Sequence, residues 1–191
     1  MRKITLASGS PRRKELLLQM GLSFDVVPSS VEETIPDGFS FAETVKILAK
    51  QKAESVVAIS NKDSIVIGAD TIVVFEEEIL GKPRDQNHAF QMLKALQSRE
   101  HLVFTGLCLI DNSSHRILLD HEKTIVKMAT IDDDEIARYI ATGEPMDKAG
   151  AYGIQGRGGM FIEEIRGCYY NVVGLPLAKL RFMLKQLGIQ C

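Results

Sequence analysis

Residues 1–17 place an apolar strand, a turn of small side chains and a basic helix start in immediate succession, and this order fixes where an anion can bind before anything else about the fold is decided. Ile4, Leu6 and Ala7 form a short β-type run, and Ser8, Gly9 and Ser10 let backbone come close to a ligand. Proline at a first helical position gives up only a donor that has no intrahelical partner. Ser10 is therefore expected as the N-cap of a helix that starts at Pro11 and stops at Gly21, with Leu16, Leu17, Leu18 and Met20 as its apolar stripe. Arg12, Arg13 and Lys14 crowd the first turn, where the helix dipole disfavours cations by about 0.3–1 kcal/mol each. Three cations there ask for an anion, and free N–H groups, hydroxyls and two guanidiniums would cradle a phosphate chain. A solvated basic helix start is the simpler alternative.

Composition narrows the classes. A chain of 191 residues, 45% hydrophobic, makes one large domain or two small lobes around one sheet. The 23 basic and 25 acidic residues nearly balance, which argues against a nucleic-acid partner or a polybasic membrane surface. Cys108, Cys168 and Cys191 are far apart and form no C-x-x-C pair, so neither a disulfide framework nor a zinc site is expected, and a reducing cytoplasm is the compartment implied. No signal-peptide block precedes Arg12, and no apolar run reaches membrane-span length. His88, His101, His115 and His121 sit among polar neighbours and read as surface residues.

Downstream, Phe24–Pro28 reads as a second strand, and Ser29–Gly38 as a polar loop whose Glu32 and Glu33 either reach a site or are simply solvated. Ser40 and Glu43 form a capping box for a helix to about Ala58. Lys50 and Lys52 read as helix-surface lysines, with Lys52 close enough to the apolar face to point toward a cleft. The β-branched run Ser64–Phe75 is a central strand, in which a carboxylate at Asp70 must meet a metal, a cation or a donor, or lie at an open end; the bland alternative is a bulge marked by Gly68. Lys82 lies in a proline-stiffened loop. A helix from about Asp85 to Ser98 and an antiparallel pair, His101–Ile110 with Arg116–Met128, follow. Thr130 is expected to cap a helix whose acids, Asp132–Glu135, suit its positive end and which Gly143 stops. The glycine-dense stretch Asp147–Gly159 reads as a ligand-lining loop rather than a linker, because it carries Tyr152, Ile154 and Gln155. Met160–Ile165 and Tyr169–Val173 are expected as a final strand pair, and Pro176–Leu187 as the closing helix.

Taken together, Leu6–Leu17, Gly68–Thr71, Gly81–Pro83 and Asp147–Gly156 resemble the Maf family of nucleotide pyrophosphatases over essentially the whole chain, residues 1–191 as a single domain with two lobes and no linker. The resemblance implies an α/β fold similar to inosine triphosphate pyrophosphatases, with a central mixed twisted sheet, flanking helices and two lobes around a cleft. It implies hydrolysis of a nucleoside triphosphate to monophosphate and pyrophosphate with a divalent metal, Mg²⁺ or Mn²⁺, by a cytoplasmic homodimer. Family roles fall on Ser8, Arg13, Lys52 and Lys82 for the phosphates, on Asp70 as proton acceptor, and on Glu33 with Asp70 for the metal. Arg12, Thr71 and Gln155 fall where the family sets base preference, in the pattern of the dTTP and UTP branch. A nucleotidyltransferase, or a non-catalytic regulator of septum formation, are the competing functions.

Those roles have physical reasons. In-line attack of water on the α-phosphorus needs a base or a metal to form hydroxide, and cations to hold charge on the departing pyrophosphate. Asp70 and Glu33 suit the first task, and Arg12, Arg13 and Lys82 the second. Whether Asp70 is base, ligand or both stays open. Thymine and uracil present carbonyl, N–H and carbonyl along one edge, where the Gln155 amide can both accept and donate.

Overall fold

A computed structural model describes residues 2–31, 34 and 38–190; Glu33, expected as a metal ligand, lies outside the described residues, as do Glu32 and Cys191. Strand β1 (Lys3–Leu6) leads into helix α1 (Pro11–Gln19), followed by β2 (Asp25–Val26), α2 (Phe41–Val57), β3 (Ser64–Phe75), β4 (Glu78–Leu80) and α3 (Gln86–Leu96). The order continues with β5 (Glu100–Asp111), β6 (Ile117–Met128), α4 (Asp133–Ile140), β7 (Ile162–Arg166), α5 (Tyr169–Val173) and α6 (Leu177–Gln186). Between α4 and β7 the chain forms short 3₁₀ turns at Glu144–Asp147, Ala149–Ala151 and Arg157–Phe161. The strands join in the order β2-β1-β3-β5-β6-β7, with β4 on β3. Pairing is parallel on both sides of β1 and antiparallel where β4 meets β3 and β7 meets β6, so the sheet is mixed, as expected. Among the described residues no helix is long and apolar enough to cross a membrane.

Contacts divide the chain into two compact units, one of Met1–Thr71, Thr105–Glu122 and Gly174–Cys191, the other of Ile72–Phe104 and Lys123–Val173. In the first, Leu6 of β1 lies opposite Val26 on one side and Ile67 on the other. The expected capping box opens α2: Ser40 Oγ accepts from Glu43 N at 3.3 Å, and Ser40 N donates to Glu43 Oε2 at 3.1 Å. The helix then buries Val45, Leu48, Ala49, Ala53 and Val56. It lies so close to the sheet that a Cβ on Gly68 of β3 would fall 2.2 Å from Ala49 O, and one on Gly106 of β5 2.0 Å from Val45 O. Gly68 thus admits a helix, within a strand that runs from Ser64 to Phe75. Helix α1 spans the expected residues and buries Leu16 and Leu17, but Leu18 is 56% exposed and not part of the stripe.

The core of the second unit gathers Val73, Ala89, Leu93, Leu96, Val103, Val126, Met128, Ile136, Tyr139 and Phe161. Three expectations are corrected here. The N-cap of α4 is Asp132, which forms a capping box with Glu135, while the Thr130 hydroxyl pairs with Ser98 Oγ at 2.7 Å. Tyr169–Val173 is a short helix rather than a strand, and the partner of β7 is β6. The aromatic and branched side chains there suggest a strand. A buried amide overrides them: Asn171 Nδ2 donates to Val103 O and Thr124 Oγ1, each at 2.9 Å. Third, His101 is 2% exposed rather than on the surface, because strand alternation turns it inward, where Nε2 meets Tyr152 Oη at 2.7 Å.

Candidate active site

The first cluster forms where β1 stops. Ala7 N makes the last bond to Ile67 O, at 2.8 Å, and β3 then continues without that neighbour. Asp70 sits three residues further along, so the open end expected for it arises because the adjacent strand ends. The residue is 5% exposed, and Oδ1 accepts from Lys52 Nζ at 2.5 Å. The close approach of α2 at Gly68 explains why a lysine read as a helix-surface residue is mostly buried: Ala53 N lies 2.8 Å from the Cβ position of Gly68, and Lys52 is the preceding residue. Taking away one partner of such a buried pair costs about 3–5 kcal/mol, so the two side chains fix one another.

The pleat turns Thr71 to the other face of β3, where it meets Arg13 of α1. Arg13 Nη2 donates to Thr71 Oγ1 at 3.0 Å, Nη1 to Ser8 Oγ at 3.2 Å and Nε to Gly174 O at 2.9 Å. Thr71 Oγ1 also lies 2.9 Å from Thr105 Oγ1. The guanidinium is therefore an organising group of the cluster as well as a cation beside the helix start. Ser8, 7% exposed, accepts from both Arg13 and Ser10 N (3.3 Å), which leaves its own O–H to donate to an oxygen of a bound anion. Ser10 occupies the N-cap position, and its side chain makes no capping hydrogen bond. Arg12 is half-buried on the same turn.

Two expected residues belong to the second unit. Lys82 is exposed on the loop after β4, and Gly81 O of that loop accepts from Gly150 N at 3.1 Å. Gln155 is exposed on a turn closed by Gly156 N donating to Gly153 O at 3.4 Å. Sequence reasoning passed over the residues beneath that turn. Glu144 Oε1 accepts from Gly158 N (3.1 Å) and Tyr139 Oη (2.9 Å), Oε2 accepts from Arg157 N (3.0 Å), and Tyr139 Oη in turn accepts from Gly153 N (3.2 Å). The only signal in the sequence was the glycine density itself: a Cβ on Gly156 would fall 2.4 Å from Glu144 Oε1.

Among the described residues no three His, Cys, Asp or Glu side chains gather as metal ligands. Asp70 offers a hard carboxylate oxygen of the kind that Mg²⁺ or Mn²⁺ takes, alongside water and phosphate oxygens, and Lys52 donates to its Oδ1. One protein carboxylate completed by substrate oxygens and water fits such an ion.

Comparison with known proteins extends the sequence match. A family model for Maf-like proteins matches residues 3–187. A "dTTP/UTP pyrophosphatase" from Caldicellulosiruptor saccharolyticus is 53% identical over 191 residues, covering 98% of this chain and 96% of the relative. Proteins of the same description from Pelotomaculum thermopropionicum and Clostridium beijerinckii are 50% and 51% identical, over 98% and 97% of this chain and 98% and 99% of theirs. Among solved structures, a HAM1 protein from Coxiella burnetii is 18% identical and covers 69% of this chain and 75% of its own, with a TM-score of 0.46.

Proposed function

The chain belongs to the Maf-like protein family, and from that premise we propose that it hydrolyses dTTP and UTP to the nucleoside monophosphate and pyrophosphate. The observation that carries the proposal is that two consecutive residues of β3, just past the end of β1, gather charge from two helices: Asp70 holds the Lys52 ammonium, and Thr71 accepts from the Arg13 guanidinium, which also binds Ser8. A carboxylate held by one ammonium, followed on the same strand by a hydroxyl tied to a guanidinium, suits hydrolysis of a polyphosphate.

In this mechanism the Asp70 carboxylate takes a proton from water as the water oxygen bonds to the α-phosphorus, and the bond from that phosphorus to the bridging oxygen breaks, releasing pyrophosphate. Lys52 keeps the carboxylate in one orientation and carries positive charge beside the reacting phosphate. Ser8, Arg13 and the start of α1 bind phosphate oxygens, and Lys82 neutralises charge on the leaving group. Arg12, Thr71 and Gln155 set the base preference, with Gln155 pairing with the N3–H and a carbonyl of uracil or thymine. A divalent ion, held by Asp70 and Glu33, would polarise the phosphate and make water more acidic. Homodimerisation is expected and is read by sedimentation.

Hydrolysis in ¹⁸O-labelled water tests the reaction. Label should appear in UMP or dTMP, with unlabelled pyrophosphate; label in orthophosphate, or no turnover, would refute the proposal. Treatment with EDTA should abolish turnover, and added Mg²⁺ or Mn²⁺ should restore it.

A further inference from the structure

The turn that carries Gln155 has no apolar anchor at its tip: Gln155, Gly156 and Arg157 are all exposed. It is held from beneath at both ends. At its start Gly153 N donates to Tyr139 Oη (3.2 Å), and just past its end Arg157 N and Gly158 N donate to the two oxygens of Glu144 (3.0 and 3.1 Å). Tyr139 Oη donates to Glu144 Oε1 at 2.9 Å, so one tyrosine and one carboxylate form a single clamp across the turn. Burial pushes the Tyr139 hydroxyl well above its ordinary pKa, which keeps it a donor. Burial also works to raise the Glu144 carboxyl, but the Gly158 and Arg157 amides, Tyr139 and Lys148 outweigh it, and the group lies below its usual value as an acceptor. Tyr139 is fixed in turn by α4, on which it packs edge-on against Phe161 with ring centroids 5.3 Å apart. The turn therefore stands on one carboxylate and on the hydroxyl of a tyrosine that belongs to the core of the second unit.

Resting on the function above, we propose that Tyr139 and Glu144 are positioning residues for base selection, holding the Gly153–Gly158 turn so that the Gln155 amide meets the base in one orientation. Uracil and cytosine differ in this requirement, since cytosine offers an amine and a bare ring nitrogen where uracil offers a carbonyl and N–H. A fixed amide discriminates between them; a swinging amide flips and accepts either.

The test compares UTP with CTP in Tyr139→Phe, Glu144→Gln and Gln155→Ala, and in the Tyr139→Phe/Gln155→Ala double variant. Tyr139→Phe removes one oxygen and keeps the ring on Phe161, while Glu144→Gln sets an amide N–H against the Arg157 N–H. Each should lower the UTP-to-CTP ratio of kcat/KM by about tenfold, chiefly through KM for UTP, and adding Tyr139→Phe to Gln155→Ala should lower it no further. Hydrogen exchange at the Gly153, Arg157 and Gly158 amides, which needs no turnover, should speed up at least about tenfold in both clamp variants. An unchanged ratio with faster exchange, an equal fall in the Gln155→Ala background, or unchanged exchange would each overturn the positioning role. Wild-type protein that turns over neither UTP nor dTTP would sink the functional premise and the role together, and the exchange data would then show whether the clamp itself exists.

Discussion

The two units handle buried polarity in opposite ways. In the first, charged side chains are tied to exchangeable partners: Lys52 to Asp70, and Arg13 to two hydroxyls and one carbonyl. In the second, the buried polar groups are neutral, with His101 on Tyr152 and Tyr139 under the glycine turn, and the half-buried carboxylate of Glu144 is held by backbone amides and a phenol. A polyphosphate needs charge that can be handed over, and an uncharged base edge needs a neutral amide held still. The difference teaches where each kind of charge is kept: in the first unit it meets an ammonium, a guanidinium and hydroxyls, and beneath the turn of the second it meets backbone amides and a phenol.

The largest effect should follow from breaking the first cluster. Asp70→Asn removes the proposed proton acceptor and is expected to lower kcat by about 10²–10⁴-fold, or about 3–5 kcal/mol, in steady-state assays with UTP. It also takes the paired carboxylate from a mostly buried Lys52, so the double variant Asp70→Asn/Lys52→Met should recover stability in urea unfolding without recovering turnover. Recovery of both would mean that the pair is structural only.

The neutral character of the second unit can be broken with acid. Burial holds the His101 ring at a pKa of about 4, against an ordinary value of 6.5, so the folded protein keeps it neutral while the unfolded chain takes up a proton. Stability from this group is complete above pH 6.5 and falls as pH drops toward 4, by about 3 kcal/mol in total. Urea unfolding at pH 7 and pH 5 should show part of that loss, and His101→Phe should flatten the slope even though it costs the bond to Tyr152.

These two cases also show what the sequence could and could not carry. Asp70 was legible because a carboxylate inside a β-branched run has few cheap explanations, and the Ser40–Glu43 box was legible because its partners are three residues apart. The partner of Asp70 was not, since Lys52 arrives only because Gly68 lets a helix settle on the strand. His101 was misjudged from its polar neighbours when strand alternation was the better guide, and Tyr169–Val173 was misjudged from β-type composition when one buried amide decided the outcome. Arg13 reads as a phosphate ligand from its place at a helix start after a small-residue turn and from the family resemblance. Its bond to Gly174, distant in sequence, depends on the tertiary fold.

That bond gives a smaller and sharper test. Arg13→Lys keeps the charge but cannot reach Ser8, Thr71 and Gly174 together, because an ammonium is a point donor where the guanidinium is a fork. A loss of about 2 kcal/mol in urea unfolding is expected, together with a raised KM for UTP. A lysine variant of wild-type stability would show that the three bonds contribute little and that Arg13 is simply a cation.

The smallest effect separates charge from packing in the second unit. Lys148 Nζ donates to Glu144 O and to the Asp147 carboxylate, each at 2.6 Å, and its stem lies where a Cβ on Gly153 would fall, 2.6 Å from Lys148 Cε. Asp147 is largely exposed, so that ion pair is screened by water and contributes little. Lys148→Met keeps the stem and discards the charge, and should cost less than about 1 kcal/mol while leaving the UTP-to-CTP ratio unchanged. Lys148→Ala also removes the methylenes beneath Gly153 and should cost about 1–2 kcal/mol more. If the methionine variant lost as much as the alanine variant, charge would organise the second unit as it does the first, and the contrast between them would fail at this residue.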